Sequence, residues 1–226
     1  MLDQLSDIVE AAGAAIEIPG QILLTPIVRN WRVHWGATEE EATKRLPGDD
    51  FVPEPKWSYT HAIDIKASAE KIWPWIAQIG QGRGGFYSYE MLENAIGCDI
   101  HNADKILPEY QNLKIGDTIT LHPKNQPLQV AKLVPNKLLV LCGHNEDGSI
   151  VESTWGFYLI DNPNGGTRLI VRGRYQYGDN FLSNVLLGPG LLEPVNFVMS
   201  RKMMDGIKNL AEKQPDATMT KIQIIR

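Results

Sequence analysis

Residues 191–213, LLEPVNFVMSRKMMDGIKNLAEK, decide the fold. Leu192, Val195, Met199, Met203 and Leu210 recur at spacings of three, four or seven, the stripe of one long amphipathic helix. Gly188-Pro189-Gly190 separates it from a shorter apolar run, Phe181–Leu187. Upstream of that run the period changes to two. In Thr167–Tyr175 (TRLIVRGRY), Leu169, Val171 and Tyr175 share one face, and Arg168, Arg172 and Arg174 share the other. Trp155, Phe157 and Leu159 line one face of a strand over 150–160. Leu138–Cys142, Leu128–Val134 and residues 118–121 read as further strands, with turn signals at Pro135-Asn136, Asp147-Gly148 and Asn164-Gly165-Gly166. Tyr59, His61, Ile63 and Ile65 alternate with polar residues in the first strand. Ser68 then caps a helix, AEKIWPWIAQI, that Pro74 should kink, and a second short helix is expected over 87–96. This order of elements predicts an α+β fold, with helices on one face of a curved antiparallel sheet.

The chain has 226 residues, the size of one domain with an extension. Its 22 Lys+Arg against 27 Asp+Glu leave a charge of −5, not the positive surplus of a nucleic-acid binder, so no nucleic acid is expected as partner. Cys98 and Cys142 stand alone, without a C-x-x-C or a nearby histidine pair. No metal and no cofactor are expected, and a reducing cytoplasm suits the free thiols.

Residues 8–28, IVEAAGAAIEIPGQILLTPIV, are the only long apolar run. Glu10, Glu17, Pro19-Gly20 and Pro26 oppose a membrane span, since a central carboxylate costs about 2.5–3.5 kcal/mol to insert. Ile8, Ala11, Ala12, Ala15 and Ile16 recur at helical spacing with both glutamates off the stripe, an amphipathic helix expected to pack on its own domain or on a sister subunit in a homodimer. Arg29, Trp31, Arg32 and Trp35 follow like an interfacial belt, so peripheral contact with a membrane is the alternative. In residues 37–56, Thr38 and the glutamates after it start a short helix before Pro47, followed by an extended linker. The expected division is 1–48 as helical extension and linker, 49–213 as the main domain and 214–226 as a tail.

Five segments carry a family likeness: ASAEKIWPWIAQIGQGRGGFYSYEMLENAIGCDIHNADKILPE (67–109), LKIGDTITLHP (113–123), TWGFYLID (154–161), TRLIVRGRY (167–175) and EPVNFVMSRKMMDGIKNLAEK (193–213). In these the chain resembles the SRPBCC superfamily, the Bet v 1-like or START-like group, and within it a branch of uncharacterised polyketide-cyclase-like proteins. The resemblance implies a helix-grip fold, a sheet wrapped around the long C-terminal helix with an apolar cavity between them. It implies binding, or transport, of a hydrophobic small molecule or lipid. The superfamily shares a cavity and not a catalytic signature, so fold alone does not fix the chemistry.

Trp155, Phe157, Met199 and Met203 are the candidate cavity walls, and Tyr89 and Arg172 the candidate polar contacts. Arg172 has a plainer reading, a solvated outer face. If the sheet turns it inward, Glu152 is the carboxylate it would meet. The densest polar run holds Tyr87, Tyr89, Glu90, Asp99, His101, Asn102 and Asp104. His101 with Glu90 or Asp104 is the candidate catalytic pair for cyclase or dehydratase chemistry, because a carboxylate fixes the imidazole tautomer. The plainer reading is a polar loop capping the cavity mouth. Gly80-Gln-Gly82-Arg-Gly-Gly85 matches G-x-G-x-x-G, yet a helix precedes it, so its glycines read as a tight loop rather than a dinucleotide fingerprint. Free amides there with Arg83 form an alternative site for an anionic head group. His34, His61, His122 and His144 read as surface or core residues.

Overall fold

In the computed structural model, six strands form one open antiparallel sheet. Residues 2–143, 153–163, 165–177 and 180–213 are described. His144, Glu152, Asn164, the Asp147-Gly148 turn, the start of the strand expected over 150–160 and the tail 214–226 lie outside them. The strands are β1 (Trp57–Ile65), β2 (Thr118–Ile119), β3 (Leu128–Val134), β4 (Leu138–Cys142), β5 (Ser153–Asp161) and β6 (Thr167–Tyr175). Their spatial order is β1-β6-β5-β4-β3-β2, which places the first and last strands side by side. The helices are α1 (Leu2–Leu23), α2 (Thr25–Val33), α3 (Glu39–Thr43), α4 (Ala69–Ala77), α5 (Glu90–Ala95), α6 (Phe181–Leu187) and α7 (Leu192–Lys213). A curved antiparallel sheet with a long C-terminal helix against it is the helix-grip architecture.

Strand periodicity sorts the side chains between two faces. Phe157 pairs with Val171 and Leu159 with Leu169, and these inward residues pack with Trp75, Ile76, Met204 and Ile207 from α4 and α7. α7 crosses very close to the loop before α5. A Cβ at Gly206 would lie 2.4 Å from the Tyr87 carbonyl oxygen, so only glycine permits the contact.

The opposite face is covered as well, which corrects two expectations. Ala62, Val140, Cys142, Tyr158 and Ile170 form a second cluster under Ala37, Leu46 and Phe51. Residues 36–53 are therefore a strap across the back of the sheet, not an extended linker. The arginine row of β6 holds it down. Arg168 pairs with Glu41 at 2.8 Å, and Arg174 Nε donates to the Val52 carbonyl at 2.7 Å. Arg172 is 4% exposed, not solvated and not inward. Its Nη1 donates to Asp49 Oδ2 (2.7 Å) and Lys44 O (2.8 Å), and its Nη2 to Glu41 O (2.5 Å). A guanidinium thus takes the orphan carbonyls at the C-terminus of α3, where the helix dipole favours a cation. At the other end of α3, Thr38 and Glu41 form the reciprocal capping box.

α1 docks on its own chain, along α7, where Ala11 and Ala14 are buried. Of the expected apolar stripe only Ala11 is buried: Ile8, Ala12, Ala15 and Ile16 are exposed. Glu17 instead pairs with Arg201 (2.6 Å) and Glu10 with Lys202, so charge complementarity with α7 sets the rotation of the helix, while the alanines allow close approach. α2 turns 111° from α1 and inserts Arg32, fully buried, against Glu193 at the start of α7 (2.5 Å).

Candidate functional site: a recess between sheet and long helix

A recess of about 300 Å³ lies between the inner face of the sheet and the N-terminal half of α7. At roughly 30 Å³ per water, that is room for about ten waters or a ligand of about ten non-hydrogen atoms. Tyr59, Trp155 and Tyr175 form its sheet wall, each facing inward because each occupies an odd position of its strand. The wall is stiffened by stacking: Trp57 lies 4.3 Å from Tyr175 and 5.9 Å from Tyr59, ring centre to ring centre. Leu192, Val195, Met199 and Met203 face it from α7, at the spacings of three and four that keep them on one side of a helix. The methionines give that wall adjustable shape. Phe86 and Leu121 close the recess from the loops.

Four polar side chains stand in this apolar setting: Ser88, Glu93, Asn196 and Ser200. Ser88 Oγ donates to the Met199 carbonyl at 3.1 Å. Ser200 Oγ lies 3.0 Å from His61 Nδ1, and His61 Nε2 lies 3.0 Å from the Arg32 carbonyl. A carbonyl only accepts, so Nε2 carries the ring proton and Nδ1 accepts from the serine. Burial pulls the His61 pKa down to about 3, against the raising effect of the Arg32 carbonyl. The ring is neutral, a core histidine as its sequence suggested.

Glu93 and Asn196 are different. Glu93 is 6% exposed, and among the described residues its Oε2 is buried without a hydrogen-bond partner; Asn196 Nδ2 makes no full hydrogen bond either, though its side chain lies beside the Tyr59 phenol. Burial first, and then the charge of Glu90, raises the Glu93 carboxyl to about 7. Burial also raises the Tyr59 phenol, with Tyr175 beside it, and pushes Tyr175 up to about 12. Both phenols keep their protons. Sequence reasoning passed over Glu93 in favour of Glu90. The signal was there: Glu93 follows Tyr89 by four residues and directly follows Leu92, both of which pack inward against Phe197 and Val198.

Of the expected ligand contacts, Trp155, Met199 and Met203 meet at the recess. Phe157 is fully buried behind Trp155, its ring 4.7 Å away, as core. Arg172 serves the strap on the other face. Tyr89 lies in an outer groove between α1, α5 and α7, with Lys202 Nζ 5.6 Å from its ring centre. Glu90 and Asp104 line the same groove.

His101 is not brought to the recess. Its side chain is 80% exposed, with Nδ1 3.4 Å from Glu90 Oε1 and Nε2 3.5 Å from Asp99 Oδ1. Ile100, fully buried, takes the inward position, and the next side chain points out. The pair thus sits in water, without the dry pocket that acid–base cyclisation needs.

The glycine loop is self-contained. Gly80 and Gly85 exchange backbone hydrogen bonds of 2.9 and 3.0 Å, and Gly84 N donates to the Gln78 carbonyl. Gly80, Gly82 and Gly85 have positive φ, as a tight loop requires. Arg83 Nη2 donates to the Ala77 carbonyl (2.8 Å) and its guanidinium stacks over Tyr110, so the loop's amides and its arginine are engaged mainly within the protein. Among the described residues, no group of three or more His, Cys, Asp or Glu is placed to hold a metal ion.

Comparison with known proteins gives neither a matching family profile nor a matching curated protein. Solved structures do match. A protein from Nitrosomonas europaea is 10% identical, with 75% of this chain and 100% of that one covered and a TM-score of 0.43. CalU16 from Micromonospora echinospora is 15% identical over 74% of this chain and 81% of its own, with a TM-score of 0.38. The Aha1 dimer from Colwellia psychrerythraea is 19% identical over 70% and 99%, with a TM-score of 0.37. The fold assignment rests on strand order and helix placement in this chain itself.

Proposed function

We propose that this protein binds a small hydrophobic molecule in the recess between the sheet and α7. The observation that carries the reading is the recess itself: about 300 Å³, walled by Tyr59, Trp155, Met199 and Met203, with unpartnered polar groups of Glu93 and Asn196 at its edge. An apolar pocket with a few convergent polar groups is the usual form of a small-molecule site. The likeness of the sequence to polyketide-cyclase-like proteins supports the same class of ligand, a compact polyketide-like or short-chain lipid compound. Binding is favoured over cyclase or dehydratase catalysis because His101 stands in solvent.

Native mass spectrometry of the gently purified protein tests this directly. A released small molecule is expected, lost when Met199→Trp fills the recess. A ligand-free wild-type protein that also takes up no apolar probe would refute the reading.

A second reading, reversible contact with a membrane surface, is favoured by a different observation. Leu23, Ile27 and Phe181 are 80%, 81% and 83% exposed, and Thr25 Oγ1 donates to the Pro189 carbonyl (3.4 Å) between their two segments. By length and composition, Phe181–Lys213 holds a stretch apolar enough to cross a bilayer, but Phe197, Val198, Met204 and Ile207 within it are buried core. Contact would therefore lie at the corner of α2 and α6. Co-sedimentation with phosphatidylcholine–phosphatidylglycerol vesicles should be lost in Ile27→Glu/Phe181→Glu. Equal sedimentation of that variant and the wild type would refute it.

A further inference from the structure

Apolar walls explain most of the recess, but not Glu93. An ionised carboxylate buried at such a site is costly unless a cation or several donors face it. Among the described residues no cation faces it, and its Oε2 accepts no hydrogen bond. On its own element the nearest charge is Glu90, another acid, and the following turn brings Cys98. The sheet contributes Tyr59 and Tyr175, and α7 contributes Asn196 and Ser200. Burial and the Glu90 charge therefore hold the carboxyl protonated below about pH 7, and there its O–H joins the buried Asn196 amide as a second donor in the recess.

We infer that Glu93 is the polar anchor of the bound molecule, and that this molecule is an uncharged amphiphile with an alcohol, ketone or amide head on an apolar body of about ten atoms. The inference rests on the cavity reading above. An alcohol or carbonyl oxygen accepts from the Glu93 acid and the Asn196 amide, while its body lies against Trp155 and the two methionines. A fatty carboxylate would place a second negative charge beside Glu90 in a low-dielectric site. An alkylammonium would need Glu93 ionised, the state its surroundings oppose.

Three probes of matched length separate these cases: 2-decanone, decanoate and decylamine, titrated calorimetrically into the full chain at pH 6 and pH 8.5. The ketone only accepts, so it reads the Glu93 proton directly. Decanone should bind, with decanoate at least about tenfold weaker. Decanone affinity should fall about tenfold or more between the two pH values, as the proton is lost. Glu93→Gln keeps a donor and cannot ionise, so it should bind decanone within about threefold of wild type and show no such fall. Glu93→Leu should weaken decanone about tenfold at pH 6 with its far-UV dichroism unchanged. Decylamine binding best, and more tightly at pH 8.5, would overturn the neutral-head assignment. Undiminished decanone binding by Glu93→Leu would overturn the anchor and leave the cavity standing. Failure of all three probes with wild type, and no co-purifying ligand, would overturn the cavity reading itself.

Discussion

Replacing Glu193 with glutamine should unfasten the two N-terminal helices. Arg32 is fully buried, and Glu193 Oε1, 2.5 Å from its Nη2, is the only anion paired with it among the described residues. Without that charge the guanidinium keeps two neutral acceptors, Gln21 O at 2.9 Å and Thr25 Oγ1 at 3.2 Å. Breaking one side of a buried ion pair costs about 3–5 kcal/mol, because the other charge remains desolvated. In a chain of this size each kcal/mol lowers the melting temperature by roughly 2–4 °C, so a loss of roughly 6–20 °C is expected. The partners are not equivalent. Arg32→Met should cost less, because Glu193 keeps Arg29, whose Nε and Nη2 reach Oε2 at 3.0 and 2.9 Å. Arg29→Met should cost least, under about 1 kcal/mol, since Arg29 is 45% exposed. Urea titrations of the three variants, fitted with a common m-value, give the ranking. A Glu193→Gln loss below about 1 kcal/mol, or a larger loss for Arg29→Met, would refute the argument that this pair clamps α2.

Glu93→Gln should stabilise the protein progressively as pH rises above about 4.5. The native carboxyl, raised to about 7, holds a proton that the unfolded chain releases near 4.5, so wild-type stability falls as pH rises through that window. The variant should gain roughly 3 kcal/mol at pH 8 and nothing at pH 4, and a pH-independent difference would contradict this. His61 acts in the opposite direction. Its native pKa is lowered to about 3, so the unfolded state takes up a proton below 6.5 and stability falls as pH drops from 6.5 toward 3. Urea midpoints should decline less steeply there in His61→Gln, and parallel curves would dismiss the role. Arg172→Met should free the strap by stranding Asp49 and the carbonyls of α3, with new cleavage within residues 36–53 under limited proteolysis. An unchanged digest would mean that Leu46 and Phe51 hold it unaided.

β3, β4 and β6 have the bounds that strand-like runs between turn signals suggested, because the apolar pattern of an element and the turn residues that end it are both local. The walls Trp155, Met199 and Met203 were legible for the same reason: each lies on the inward stripe of its element. What a face meets is a different matter. The row Arg168, Arg172, Arg174 was plain in the sequence, but its partners Glu41, Lys44 and Asp49 lie over a hundred residues upstream, where no local period points to them. α1 shows the same limit. Hydrophobicity alone favoured Ile8 and Ile16 as the buried stripe. Arg201 and Lys202 at the far end of the chain decide for the glutamate side. Glu93 stayed hidden because an acid within a polar run looks solvated until Leu92 and Tyr89 fix which way the helix faces.

The docking of α1 and α2 on α7 also has a consequence in time. The ion pairs that seat them join residues 161 and 184 positions apart, Arg32 with Glu193 and Glu17 with Arg201. At a ribosomal rate of about 5–20 residues per second, α2 is made roughly ten to thirty seconds before its seat exists. Through that interval Ala11, Ala14 and Arg32 have no partner surface. The nascent chain therefore carries an unburied amphipathic helix through most of its own synthesis, and the N-terminal segment is where a chaperone would find its hold.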